Sequence, residues 1–312
     1  MTTLYITHPC YLEHDTGYGH PERPDRLRAI EQVMKHDMFK DLVRLEAPAA
    51  DLETIALAHP KEYVDFVRDH APKAGQDHVH FDPDTVMSSG SWKAALHAAG
   101  AAVLAVDKVM TGEAKNAFCA VRPCGHHAER ERAMGFCLFN NVAIAGLYAR
   151  AKHGAERVAV VDFDVHHGNG TQDIFWSDKD LFFASIHQMP LYPGTGALSE
   201  TGVGNVWNAP LRPGDGGEQF REAFEARILP ALRNFGPDIV LISAGFDAHR
   251  DDPLANLQLL EGDYSWVTSK ICDLADKHAR GRVVSMLEGG YNLAALARSV
   301  AVHVRALQRA GS

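Results

Sequence analysis

The sequence predicts a single α/β domain over residues 1–312, built on a mostly parallel β-sheet with helices on both faces. Three observations predict it. Short β-branched apolar runs bounded by turn residues recur along the chain. Stretches with helical spacing of apolar residues fall between those runs. The runs read as buried, and strand–helix alternation with buried strands implies parallel pairing with both faces covered. Strands are predicted near 4–6, 116–121, 158–165, 181–186, 238–243 and 282–287. The clearest helices are 23–34, 91–110, 142–152, 218–234, 264–278 and 293–308. Loops 188–201 and 212–217 are rich in Gly and Pro and read as surface excursions rather than domain linkers.

Composition limits what the chain does. It is 46% hydrophobic over 312 residues, enough for one large core. The net charge of −9, from 31 basic and 40 acidic residues, argues against direct nucleic-acid binding and mildly favours cationic substrates. Runs such as "DIVLISAG" are too short to span a bilayer, so no membrane partner is expected. The N-terminus lacks a basic segment followed by an apolar stretch, so no signal peptide is expected. The cysteines, 10, 119, 124, 137 and 272, contain no CxxC pair and cannot all pair with one another. Reduced thiols in the cytoplasm are the simplest reading. Homo-oligomer formation is left open.

The segment "VVDFDVHHGNGTQ", residues 160–172, carries the chemistry. Val161, Phe163 and Val165 alternate with Asp162, Asp164 and His166, so one face of an extended segment is apolar and the other is not. Ligands in such folds bind beyond the carboxyl ends of the strands. Strand 116–121 leads to His126 and His127, strand 238–243 to Asp247, and strand 282–287 to "EGGYN" with Tyr291. The architecture gathers these groups on one rim.

Asp164 and His166, two apart, can grip one metal, and Asp247 would give a third ligand. Three N/O ligands and an open position describe a catalytic zinc site, although iron and cobalt fit the same donors. A bound metal lowers the pKa of its water to about 7, and a neutral imidazole from His126 or His127 can take that proton. An imidazole needs a partner to fix its tautomer: Asp162 suits one histidine and Asn169 the other. Tyr291 follows two glycines, and its phenol is placed to stabilise an oxyanion. Other features carry less. "GYGHPERPDRL" reads as a turn and a helix start with Pro24 in the first turn. Phe136 and Phe139 lie near the histidine pair, where aromatics line a channel or simply pack the core. Asp82 and Asp84 in "FDPDT" read as solvated loop acids.

With these residues assembled, the sequence resembles the zinc-dependent histone deacetylase family, which includes bacterial acetylpolyamine amidohydrolases and acetoin-utilisation-type proteins. The resemblance runs from "HPERPDRL" through "RPCGHHA", "MGFCLFNNVAIA", "DFDVHHGNGTQ", "SIHQMPLYPGTG" and "SAGFDAHRDDPL" to "LEGGYN". "RPCGHHA" and "HHGNGTQ" are similar to the class II branch and its bacterial relatives. The resemblance implies an arginase/deacetylase-like fold and one zinc per chain on Asp164, His166 and Asp247. His127 would act as general base and then acid, with His126 on Asp162 as its electrostatic partner. Tyr291 would polarise the acetyl carbonyl, and the Gly135 carbonyl would accept the scissile amide N–H. Phe136 and Tyr192 would wall the channel, with Pro253 and Leu254 at its mouth. It also implies structural potassium, on Asp162, Asp164, His166, Ser185 and Ile186, and a second ion near Phe175 and Leu181.

Two positions depart from family patterns. Asn169 stands where class I members have Asp, and Tyr192 where many have Phe. Tyr291 is the residue of active members, where a weakly active vertebrate branch has His. The implied reaction is removal of acetyl or a similar short acyl group from an acylated amine. The substrate is acyl-lysine in a peptide or protein, or alternatively an acetylpolyamine. An arginase-like binuclear hydrolase would need more carboxylates than Asp247-Ala248-His249 supplies. A catalytically idle acyl-lysine-binding module would not need the full catalytic set.

Overall fold

Short β-branched runs pair in one parallel sheet in the computed structural model, which describes residues 2–311. In chain order the first elements are β1 (Thr3–Thr7), α1 (Asp25–Met34), β2 (Val43–Glu46), α2 (Leu52–Ile55) and α3 (Lys61–Asp69). A small antiparallel hairpin, β3 (Val79–His80) and β4 (Val86–Met87), precedes α4 (Ser91–Met110), β5 (Asn116–Cys119) and α5 (Asn141–His153). Then come β6 (Val158–Asp162), α6 (Asn169–Phe175), β7 (Leu181–Gln188), β8 (Val206–Leu211), α7 (Gly217–Ala223) and α8 (Leu229–Phe235). The chain closes with β9 (Ile239–Ala244), α9 (Glu261–His278), β10 (Val283–Leu287) and α10 (Leu293–Gly311).

The eight-stranded sheet has the order β2-β1-β5-β10-β9-β6-β7-β8, parallel throughout. Helices α4 and α5 pack together, as do α1, α9 and α10, and both groups lie against the sheet. Every residue of β5, β6, β7, β9 and β10 is buried, as double coverage requires. Alanines 94, 95, 98, 99, 101, 102 and 105 give α4 a flat buried face. Gly100 lets it approach the backbone at Pro48, whose carbonyl would lie 1.9 Å from an added Cβ.

The fold class is as the sequence predicts, with three local differences. Strand β6 stops at Asp162, not at residue 165. Asp162 Oδ1 accepts the Asp164 N–H at 3.0 Å, and Asp164 Oδ1 accepts the His166 N–H at 2.9 Å. These carboxylates take the backbone donors away from the ladder. The single helix predicted over 218–234 is interrupted by a π turn, Phe224–Ile228, ahead of Pro230. Proline lacks the N–H to continue an α-helical ladder, and the wider turn absorbs the lost bond. Strands β2 and β8, helices α2, α3 and α6, and the β3–β4 hairpin were not anticipated. Both β2 and β8 are edge strands, where burial, and with it apolar patterning, is weakest. Among the described residues no helix is long and apolar enough to cross a membrane.

Candidate active site

The four strands predicted to feed the site, β5, β10, β9 and β6, are neighbours at the centre of the sheet. Their carboxyl ends therefore lie side by side. From β6, Asp164 and His166 follow the last ladder residue directly. From β9, Asp247 arrives three residues past the strand, and its Oδ1 accepts the Val165 N–H at 3.0 Å. From β10, the Gly289 N–H donates to Asp164 Oδ2 at 2.8 Å. Each ligand candidate is thus oriented by a neighbouring strand end.

Ligand atoms of Asp164, His166 and Asp247 all lie within 4.8 Å of one another, and all three residues are buried. His166 Nδ1 sits 3.2 Å from Asp164 Oδ1 and 3.1 Å from Asp247 Oδ2. Two buried carboxylates facing each other call for a cation. Without one, burial and Asp164 push the Asp247 carboxyl up. His166 is pushed up to about 10 against its burial, by hydrogen bonds to the two carboxylates. A divalent metal meets the same demand, and the donor set fits a zinc-type site.

Two other clusters among the described residues fit a metal less well. His8 and His97 stack beside Cys10, but His8 Nδ1 already accepts the Cys10 N–H at 3.1 Å and His97 Nδ1 lies 2.8 Å from the Ala47 carbonyl. Cys124 and Cys137 approach Glu288, whose oxygens are already engaged by two backbone amides and a hydroxyl.

The histidine pair sits on the loop after β5. His126 Nδ1 is 2.8 Å from Asp162 Oδ2, and its Nε2 is 3.8 Å from Asp164 Oδ1. Burial opposes charge on His126, but Asp162, Asp164 and Glu288 raise its pKa well above the ordinary value. His127 Nδ1 is 2.8 Å from Asn169 Oδ1. The Asn169 amide donates to Glu129 Oε1 at 2.8 Å, which turns its oxygen toward His127. His127 therefore carries its proton on Nδ1 and leaves Nε2 free. Burial, then the charges of His126 and His166, hold its pKa well below the usual imidazole value. His167 faces away, bonded to Thr195 and Gln172.

A cavity of about 410 Å³ opens over this floor. His127, His166, Gly135, Phe136, Tyr192, Leu254 and Tyr291 line it, with Met134 and Leu191. The His127 ring lies 5.2 Å from the Tyr192 ring, and Phe136 lies 5.9 Å from Tyr291. Gly135, at φ 56°, packs against His127, whose ring would be 2.4 Å from an added Cβ. Phe136 holds φ 70°, an uncommon conformation for a bulky residue, and its N–H bonds Thr85 Oγ1 at 3.1 Å. Burial raises the Tyr291 phenol well above its ordinary pKa, so it stays a donor. A second cavity, about 480 Å³ beside β8, is lined by Trp207, Arg227 and Phe235 among others, and holds no histidine or carboxylate.

Other expected residues fall around this cavity and behind it. Pro253, expected at the mouth, is exposed and adjoins Leu254 of the cavity wall. Asp82 and Asp84, read as solvated loop acids, line the cavity mouth with Arg132. Ser185 is buried with its hydroxyl on His187 Nδ1 at 2.8 Å, and Ile186 follows it in β7. The carbonyls of Phe175 and Leu181 do converge, on Asn205 Nδ2 at 2.8 and 2.6 Å.

Sequence reasoning missed three supporting groups. Asp252 Oδ2 accepts the Tyr291 N–H at 2.7 Å, and only its place in "RDDPL" hinted at this. Arg26 Nε donates to the Gly290 carbonyl at 2.7 Å, from a motif read as structural. Glu288 holds the histidine turn and gave no sequence signal of its own.

This fold and this site are those of a hydrolase of the arginase/deacetylase class. Residues 20–307 match the histone deacetylase domain model, and the chain belongs to the histone deacetylase family. Histone deacetylase 10, chloroplastic, of Oryza sativa is 40% identical, over 97% of this chain and 72% of its own length. A histone deacetylase-like amidohydrolase of Pseudomonas aeruginosa is 39% identical, over 90% and 75%. A probable deacetylase of Archaeoglobus fulgidus is 40% identical, over 94% and 82%. The crystal structure of the HDA15 HD domain superposes with a TM-score of 0.92 at 38% identity, covering 98% of this chain and 88% of that one.

Proposed function

We propose that the chain is a zinc-dependent amidohydrolase that removes acetyl, or a similarly short acyl group, from the side-chain amine of acyl-lysine in a peptide or protein. The observation that carries this is the convergence of Asp164, His166 and Asp247 at the floor of a cavity flanked by a neutral imidazole and a phenol. Zinc on those three residues would supply Lewis acidity, acidifying water and polarising the acyl carbonyl. The free Nε2 of His127 takes the proton from the attacking water and returns it to the leaving amine. His126, charged against Asp162, keeps His127 from protonating early. The Tyr291 hydroxyl donates to the oxyanion that develops on the acyl carbonyl. The Gly135 carbonyl accepts the scissile amide N–H, while Phe136, Tyr192 and Leu254 exclude water from the acyl stem.

Potassium belongs to the same reading. The carbonyls of Phe175, Asp178 and Leu181 offer three acceptors to the two protons of one Asn205 amide nitrogen, a cluster rich enough for a monovalent cation. The five buried free thiols suit a reducing compartment, and we infer the cytoplasm. The acidic rim at Asp82 and Asp84 also accepts an acetylpolyamine. Rates on acetyl-lysine peptides and on acetylpolyamines, each with and without a chelator, test the proposal. Chelator-sensitive turnover with one zinc per chain is expected, faster on the peptide. Turnover that ignores the chelator, or none on either substrate, overturns it.

A further inference from the structure

We infer that Glu288 is a positioning residue of this reaction: its carboxylate fixes the turn carrying His126 and His127 to the strand end that carries Tyr291. The inference rests on the hydrolytic reading above. Glu288 has no exposed surface and does not line the cavity. A buried carboxylate is costly unless its oxygens are hydrogen-bonded, and here both are. Oε2 accepts the N–H groups of Gly125 at 2.7 Å and His126 at 3.2 Å, and Oε1 accepts the Ser243 hydroxyl at 3.1 Å.

The place of these bonds gives them their meaning. Pairing between β5 and β10 ends at Cys119 and Met286. Beyond that point no ladder holds the β5 loop to β10, and the Glu288 side chain takes over. The next three residues each meet the site through their main chain. Gly289 bonds Asp164, Gly290 bonds Arg26, and Tyr291 bonds Asp252. One four-residue segment thereby sets the base, a metal ligand and the phenol relative to one another. A displacement of about 1 Å at a reacting group can cost about a hundredfold in rate, so a clamp this close to the base acts on the chemical step.

Length and charge separate a clamp from a mere buried charge. Glu288→Gln keeps the reach and the acceptor oxygen but loses the charge. Glu288→Asp keeps the charge but is one methylene short. The expected result is Glu288→Gln with kcat within about threefold of wild type. Glu288→Asp and Glu288→Ala should lose roughly 10- to 100-fold in kcat, with KM changed less than about twofold and one zinc per chain retained. Amide exchange at Gly125 and His126, followed by NMR, should accelerate by about tenfold or more in Asp and Ala but not in Gln.

Wild-type kcat in Glu288→Asp, or a loss in Gln as deep as in Asp, overturns the clamp. So does a loss carried by KM or zinc content. If Glu288→Ala does not fold, the Gln–Asp pair still decides. The exchange measurement needs no turnover, so unchanged protection in Glu288→Asp sinks the clamp even if the wild type hydrolyses acyl-lysine. Accelerated exchange in an inactive wild-type background would instead fault the hydrolytic reading.

Discussion

Glu22 and Asp164 are both carboxylates buried to about the same depth, at 0% and 1% exposure, yet their surroundings differ in kind. Glu22 is met by two guanidiniums: Arg122 Nε at 2.6 Å and Nη2 at 2.7 Å, and Arg26 Nη1 at 2.9 Å. Further guanidinium N–H groups donate to the carbonyls of Tyr11, Glu22, Gly290 and Glu288. That cluster is satisfied by the chain itself. Asp164 faces a second carboxylate, Asp247, across one imidazole. That cluster is balanced by protonated imidazoles alone, His166 between the two aspartates and His126 beside Asp164, whose protons a metal ion can replace. Burial of charge therefore does not mark a site; carboxylates balanced by exchangeable imidazole protons rather than by permanent guanidiniums do.

The largest effect that sharpens this contrast is at Asp247. Asp247→Asn should take turnover to background and zinc content to near zero, read by metal analysis. In the metal-free protein the same substitution should leave stability unchanged or raised, because it removes one of two repelling carboxylates. A metal-free Asp247→Asn that unfolds more readily than its parent would place the aspartate in the same structural class as Glu22.

Tyr291→Phe should retain fold and zinc and lose on the order of 100- to 1000-fold in kcat, as expected for one oxyanion donor. Ordinary turnover in this variant removes the phenol from the mechanism. Glu22→Ala should show the opposite profile, a stability loss of about 3–5 kcal/mol in urea unfolding, because two guanidiniums lose their counter-charge. The pH dependence of Glu22 follows from its sign. Against the penalty of burial, Arg122 and Arg26 hold its pKa well below the ordinary glutamate value. A depressed folded-state pKa gives stability that is present above the unfolded value, near 4.5, and lost as pH falls through the folded one. Acid unfolding should shift to higher pH when Glu22 is removed.

The contrast was only half legible in the sequence. Asp164, His166, Asp247 and Tyr291 could be read because each stands just past a buried apolar run, and parallel strands bring such positions together. The strand ends beyond them could not be timed. Residues 158–165 look extended throughout, while the ladder stops at Asp162 because carboxylates capture the amides of Asp164, Val165 and His166. Glu22 and Arg26 stand at a helix start and Arg122 in a loop, and nothing local shows that residues 100 apart bury one another. Glu288 was hidden for the same reason. Its partners are backbone amides some 160 residues away, and amides carry no sequence signature. Edge strand β8, "VWNAPL", escaped because Asn208 and Pro210 interrupt its pattern.

The smallest expected effect concerns how the two kinds of cluster set a proton affinity. His127 lies among cations, His126 and His166, with a neutral partner in Asn169. Burial and those charges lower its pKa, so it stays a competent base below the ordinary imidazole value. The acid limb of kcat/KM should accordingly fall on the acid side of about 6.5. Asn169→Asp would bring a carboxylate to the position now held by the amide oxygen, 2.8 Å from Nδ1. That favours the imidazolium, and an opposite charge at such range raises a pKa by about one unit or more. The acid limb should move up by that amount, with zinc content unchanged. An unmoved limb would show that the charge on His127 is set by His126 and its carboxylates alone, and that the partner at residue 169 orients the ring without tuning it.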